Sequence, residues 1–354
     1  MEVQGAYPLA GVQGAAPPGL PAPAAPHPDP GIHLGGRAVR FGFNLPNDGR
    51  FTAPATMARL AAEGEALGYD YLTLTDHVLL PDLRAPGYPY SESGEFLSGD
   101  PVVRHELLTG LAWIAAKTER IGLVAAVLVV PHRPAVLAAK MLATIDVLSG
   151  GRLTVGVGAG WLKAEFDAVV TTPFAERGAV TDEYLEAFVA LWTEEKPRFA
   201  GRYTRFQDLV MAPKPVQRPH PPIWVGGESP PALRRAARFG AAWYPIGTNR
   251  AHPFDSLARL EAGIARLRAA EAAAGRAAGS VSVAYRVKRL GAGVPALASD
   301  GQRRLFSGDE AAILEDLRAL AGLGVTAIDV DVERGDPEAT LAELRRLRAL
   351  LARV

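Results

Sequence analysis

The chain has no cysteine, which excludes disulfides, thiolate metal ligands and cysteine nucleophiles and accords with a reducing, cytoplasmic setting. It also lacks charge of a dominant sign, since 38 Lys and Arg balance 38 Asp and Glu. That neutrality gives no electrostatic reason to expect nucleic acid or an anionic membrane as partner. No apolar run approaches the ~18–20 residues that cross a bilayer. The seven histidines form neither H-x-H nor H-E-x-x-H, so a zinc or binuclear hydrolase is poorly supported and no metal is expected. No G-x-S-x-G nucleophile elbow occurs either. Large apolar side chains are scarce in residues 1–38, a Pro-, Ala- and Gly-rich stretch with no Lys or Arg before Arg37. That stretch lacks the positive start and unbroken apolar core of a secretory signal. It reads as a disordered tail, partly polyproline-like, with a peptide-docking arm as the alternative.

What is present begins at residue 39. Apolar residues make up 48% of the sequence, enough for a large core, and residues 39–354 read as one domain. Strands are expected over 39–44, 71–75, from 121, and over 152–158, 223–225, 241–244, 281–287 and 325–330. Between them lie amphipathic segments with helix-start signals: Thr52 before Pro54, Thr181, Ser229 before Pro230 and Pro231, the Ser307–Glu310 capping box, and Asp336 before Pro337. A helix is also expected around 104–117. Residues 80–101 look too rich in Pro, Gly and Ser to be regular, and a loop that long is usually functional or disordered. Eight strands alternating with eight helices make an α/β fold, an eightfold (β/α) TIM barrel, with a doubly wound open sheet as the alternative.

In a barrel every strand-to-helix junction opens on one face, where such folds do chemistry. The junction residues pool there: Asn44, Asp76 and His77, Val129 to Pro131, Gly158 to Trp161, Gly226 to Ser229, and Tyr244. Gly226-Gly227 ahead of the Ser229 helix suits close backbone approach to a phosphate at a helix N-terminus, though a tight turn explains it equally well. The glycines from Gly156 to Gly160 lack dinucleotide-binding spacing. Asp76-His77 fits either catalysis or strand-end hydrogen bonding. Asp329 and Asp331 share a face of the last strand and are read as structural. Trp161 and Phe166 could wall a planar ring or simply fill core. Of the charges around the glycine turn (Lys214, Arg218, Arg234, Arg235, Arg238), most are expected at the solvated surface.

Longer segments carry a resemblance. RFGFNLP, YLTLTDHVLLP, ERIGLVAAVLVVPHRPAVLAAKMLATIDVLSGGRLTVGVGAGW, FAERG, TDEYLEAFVALW and PKPVQRPHPPIWVGGESPPALRRAARFGAAW resemble the luciferase-like monooxygenase superfamily. Within it they resemble the oxidoreductases that use the deazaflavin coenzyme F420. The resemblance covers residues 39 to about 287. It implies a luciferase-like barrel with a flavin-type ring across its mouth and phosphate contacts from Gly226, Gly227 and Ser229. It places His77, after Asp76, beside the ring as the catalytic candidate. It also implies a third-strand bulge with a cis bond at Ala126-Val127, a ring seat at Gly158 and Gly160, and a substrate side bordered by Trp161 and Glu165. The implied activity is hydride transfer between F420 and a small C=C, C=N or carbonyl/alcohol substrate, as in natural-product tailoring. Alternatives are an FMN-dependent monooxygenase and a non-catalytic cofactor binder. Members are commonly oligomeric, so a homodimer is expected. Residues 80–101 and 287–306 match no pattern and are expected to form the lid.

Overall fold

The computed structural model describes residues 31–34, 36–80, 84–91, 93–97 and 103–353. The expected tail over 1–30 lies outside these residues. Its expected end at residue 38 is corrected: β1 (Ile32–Leu34) pairs antiparallel with the start of β2 (Arg37–Asn44), and Leu34 is buried. The hairpin turns at Gly36, whose φ of 82° suits glycine.

Along the chain, β2 leads through α1 (Pro54–Ala66) to β3 (Tyr71–Leu74). A small antiparallel hairpin of β4 (Arg84–Pro86) and β5 (Glu95–Leu97) then precedes α2 (Leu107–Ala115). Next come β6 (Gly122–Val129), α3 (Ala135–Leu148) and β7 (Leu153–Gly158). After α4 (Lys163–Val169) and α5 (Arg177–Thr193), β8 (Phe199–Ala200) and β9 (Arg205–Phe206) form a second small hairpin. The remainder alternates: β10 (Ile223–Gly226), α6 (Pro230–Phe239), β11 (Ala242–Tyr244), α7 (Leu257–Ala273), β12 (Ser282–Val287), α8 (Glu310–Gly322), β13 (Val325–Asp331) and α9 (Pro337–Leu351).

Strands β2, β3, β6, β7, β10, β11, β12 and β13 are parallel neighbours, and the β13–β2 and β2–β3 pairings close them into an eight-stranded barrel. The open-sheet alternative is thereby excluded. Inside the barrel, Tyr71, Trp224 and Tyr244 interleave with Ala126, Ala242, Ala284 and Ala327, large against small, so the interior is packed rather than hollow. The main apolar core lies between the barrel and its helices.

Several local expectations fail. Ser307 does not cap α8; its hydroxyl donates to the Arg304 carbonyl, and Asp309 stands at the cap. Thr52 does not cap α1; its hydroxyl donates to the Gly49 carbonyl within a 3-10 turn, and Ala53 stands at the helix start. Arg104 lies outside α2, whose N-cap is Glu106, accepting from the Leu108 and Thr109 amides. The fifth helix begins at Arg177, placing Thr181 inside it with its hydroxyl on the Arg177 carbonyl. Segment 80–101 carries the β4–β5 hairpin, although residues 81–83, 92 and 98–101 fall outside the described ones. Asp309 and Asp336 cap α8 and α9 through the Ala312 and Ala339 amides.

Candidate active site

A cavity of about 290 Å3 opens at the C-terminal ends of the strands. Each residue singled out by the resemblance lines it: Asp76 and His77 after β3, Ala126 and Val127 in β6, Gly158 and Gly160 at the end of β7, Trp161 and Glu165 beyond it, and Gly226, Gly227 and Ser229 after β10.

They do different things there. His77 gives Nδ1 to Glu165 Oε2 at 2.8 Å, and the other Glu165 oxygen accepts the Val78 and Leu79 amides. Burial alone would raise the Glu165 carboxyl, but its bond to His77, the charge on that ring and the two amides outweigh burial and hold it below its usual value. An ionised Glu165 makes Nδ1 the protonated nitrogen and leaves Nε2, which has no partner among the described residues, for the cavity. Glu165, 4% exposed, thus holds both the His77 ring and the backbone that follows it at the cavity wall.

Asp76 takes a second path. Its carboxylate accepts both terminal nitrogens of Arg133 at 2.8 Å and the Val129 amide at 2.9 Å. Arg133 also binds Glu106, the N-cap of α2. This buried network joins β3, β6 and α2, and within it the Asp76 carboxylate is bonded to Arg133 and Val129 rather than to His77.

The floor of the cavity is set by Val127. The Ala126-Val127 bond is cis, and the register of β6 against β7 shifts between Ala125 and Leu128. Val127 presses on the neighbouring strands so closely that only glycine fits. A Cβ on Gly158 would lie 2.7 Å from its Cγ2, and one on Gly226 2.9 Å from its Cγ1. Elsewhere in the run from Gly156 to Gly160 other neighbours act: a Cβ on Gly156 would lie 2.0 Å from the Ala125 carbonyl oxygen, and one on Gly160 2.9 Å from Val129 Cγ1.

Opposite, the Gly226–Ser229 turn keeps its polar groups available. Gly227 adopts φ 101°, and the Ser229 hydroxyl makes no helix-cap hydrogen bond, against the expectation that it would. Arg177 and Arg235 also line the cavity. Arg177 donates to the Gly160 and Phe174 carbonyls, and Arg235 pairs with Asp182 at 2.6 Å. Arg234 and Arg238 stay exposed, as expected of surface charges. A hydroxyl, glycine amides at a helix N-terminus and two cations are a donor set that suits a phosphate. The sequence pointed to the turn but not to Arg177, whose only signal is its place in FAERG.

Over His77 lies an aromatic roof that the sequence did not reveal. Phe96 of the β4–β5 hairpin is 5.2 Å from the His77 ring and 5.6 Å from Trp161, and Tyr88 is 5.1 Å from Trp161. Tyr90 donates to buried Glu228, which also accepts the Ile246 amide and the Asn249 side chain. Burial pushes Glu228 up to about 7 despite these bonds. Phe166, by contrast, is fully buried core. At the foot of the cavity Asp329 accepts the Tyr244 hydroxyl at 2.8 Å, and Asp331 binds Arg286 and Lys288, so both aspartates bind neighbouring side chains of the barrel.

The model of the luciferase-like monooxygenase family matches residues 39–290. The chain belongs to that family. Over 177 residues, it is 40% identical to an FMNH2-dependent dimethylsulfone monooxygenase of Pseudomonas putida, a match spanning 49% of this chain and 46% of that enzyme. An uncharacterised Mycobacterium tuberculosis protein is 32% identical over 319 residues, 89% of this chain and 99% of its own. Among solved structures, an F420-dependent secondary alcohol dehydrogenase superposes with a TM-score of 0.68 at 15% identity, covering 88% of this chain and 99% of its own, which is a likeness of fold. The fold and the family expected from sequence both hold.

Proposed function

We propose that this luciferase-like chain transfers hydride between coenzyme F420 and a small alcohol, carbonyl or C=C/C=N compound, with His77 moving the accompanying proton. The His77–Glu165 pair carries this reading. Hydride leaving an alcohol carbon requires its hydroxyl proton to leave too, and an imidazole held at Nδ1 by Glu165, with Nε2 left for the cavity, is placed to accept it.

The cavity fits a flavin-type group on structural grounds. Gly158 and Gly226 form a cradle that a Cβ would fill, and the uncapped Ser229 hydroxyl stands with Arg177 and Arg235 where a phosphate would sit. Gly226, Gly227, Ser229, Arg177 and Arg235 would hold the phosphate, while Val127 and Gly160 would support the ring. When bound, the deazaflavin supplies a carbon that gives or accepts hydride. The chain's own residues do the rest. Glu165 fixes the His77 tautomer, Asp76 and Arg133 hold the strand end that bears it, and Tyr88, Phe96 and Trp161 exclude water above it.

A second reading is an FMN-dependent monooxygenase, favoured by the 40% identity to the dimethylsulfone enzyme. A screen of secondary alcohols, ketones and enones with F420, followed at the deazaflavin absorbance, tests the first reading. F420-coupled turnover of one substrate class supports it. Turnover only with reduced FMN and oxygen supports the second. We also propose a homodimer, testable by sedimentation.

A further inference from the structure

Segment 287–306 has no place in the reaction described above, yet it builds the wall of a larger cavity of about 520 Å3 between itself and the β4–β5 hairpin. The two cavities share Tyr88, Tyr90, Arg286 and Lys288, so they are continuous at the end of β12.

Its lining combines apolar side chains with cations, of which Arg250 and Arg289 are exposed. Tyr285, Val287, Leu305 and Phe306 form the floor, with the Tyr285 and Phe306 rings stacked at 6.1 Å. Five cations, Arg250, Arg286, Lys288, Arg289 and Arg304, face two carboxylates, Glu95 and Asp255. Arg304 binds Asp255 at 3.0 Å, and Arg286 and Lys288 share Asp331 at 2.7 and 2.5 Å. The two exposed arginines, Arg250 and Arg289, have no ion-pair partner among the described residues. Arg250 also reaches across the opening, close enough that a Cβ on Gly94 of the hairpin would lie 2.2 Å from its Nη1. Low-dielectric walls with one sign of charge at the entrance concentrate ligands of the other sign.

We propose that this second cavity is the substrate entry site and that the substrate is an amphipathic organic anion. Its carboxylate, sulfonate or phosphate sits at Arg250 and Arg289. Its apolar body lies over Tyr285, Val287 and Phe306, and its reacting end passes Tyr88 and Lys288 toward His77. The placement of the reacting end rests on the proposed function; the binding site does not.

Calorimetric titration of the full chain with hexanesulfonate, a simple probe of that chemistry, tests it. One site per chain is expected, with 1-hexanol at least about tenfold weaker and the Arg250→Ala/Arg289→Ala double variant weaker by about tenfold or more. Both side chains are exposed, so the variant keeps the fold. Equal binding of hexanol, or an unchanged double variant, overturns the proposal. So does sulfonate binding that Ser229→Ala weakens as much as the double variant does, which would locate the anion at the Gly226–Ser229 turn instead. A protein that binds hexanesulfonate as expected yet takes neither F420 nor FMN upholds this site and contradicts only the proposed function.

Discussion

His77 is held by a carboxylate from a different loop, and that dependence gives two substitutions with distinct signatures. His77→Ala should lower turnover by about 10²–10⁴-fold, the usual range for a general acid or base, with cofactor affinity kept; near-normal rates would remove it from the mechanism. Glu165→Gln should lower turnover less and move the pH–rate profile, because the imidazole loses the carboxylate that fixes its tautomer. Asp76→Asn should behave otherwise. Removing one charge from its buried pair with Arg133 destabilises by about 3–5 kcal/mol, read as a lower urea midpoint. The sequence placed Asp76 and His77 at a strand end and so at the mouth, but left catalysis and strand-end hydrogen bonding equally open for them. Neighbours in extended chain point to opposite sides, so one turns to Arg133 and the other to the cavity. Glu165 could not be paired with His77 from sequence, because their contact spans 88 positions.

Elements were legible where periodicity and steric punctuation agree. The eight strands follow from apolar runs ended by Gly or Pro, and Asp336 was readable as a cap because Asp accepts the third amide beyond it, whereas at α8 the Ser307–Glu310 box was read two residues too early. Thr52, Thr181 and Ser229 misled because a hydroxyl can bond elsewhere, at Gly49, at Arg177, or not to the helix at all. The β4–β5 hairpin escaped because its strands are only three residues each. The bulge at Val127 and the glycines of β7 and β10 act as one unit, which Gly158→Ala would disturb. Its Cβ would meet Val127 at 2.7 Å, and cofactor affinity should fall at least about tenfold, measured by fluorescence titration. Unchanged affinity would mean that Val127 does not set the seat.

Across the whole molecule, alternation of eight strands and helices fixed the architecture, since parallel strands joined by helices leave few ways to bury both faces. Two buried acids then give the folded state a pH dependence. Glu228 is raised to about 7 and Asp329 to about 6, chiefly by burial. A raised carboxyl binds its proton more tightly folded than unfolded, so stability is greatest below the unfolded value and falls as pH rises through the folded one. Thermal midpoints should therefore decline from about pH 5 to 8, and Glu228→Gln should flatten the decline by on the order of 1–3 kcal/mol. A profile identical in wild type and variant would contradict this. Parallel fluorescence titrations with F420 and with FMN test most directly whether the barrel mouth takes the deazaflavin proposed for it. Saturable F420 binding tighter than FMN, weakened in Gly158→Ala, is the predicted result. Tight FMN binding with no affinity for F420 would contradict it.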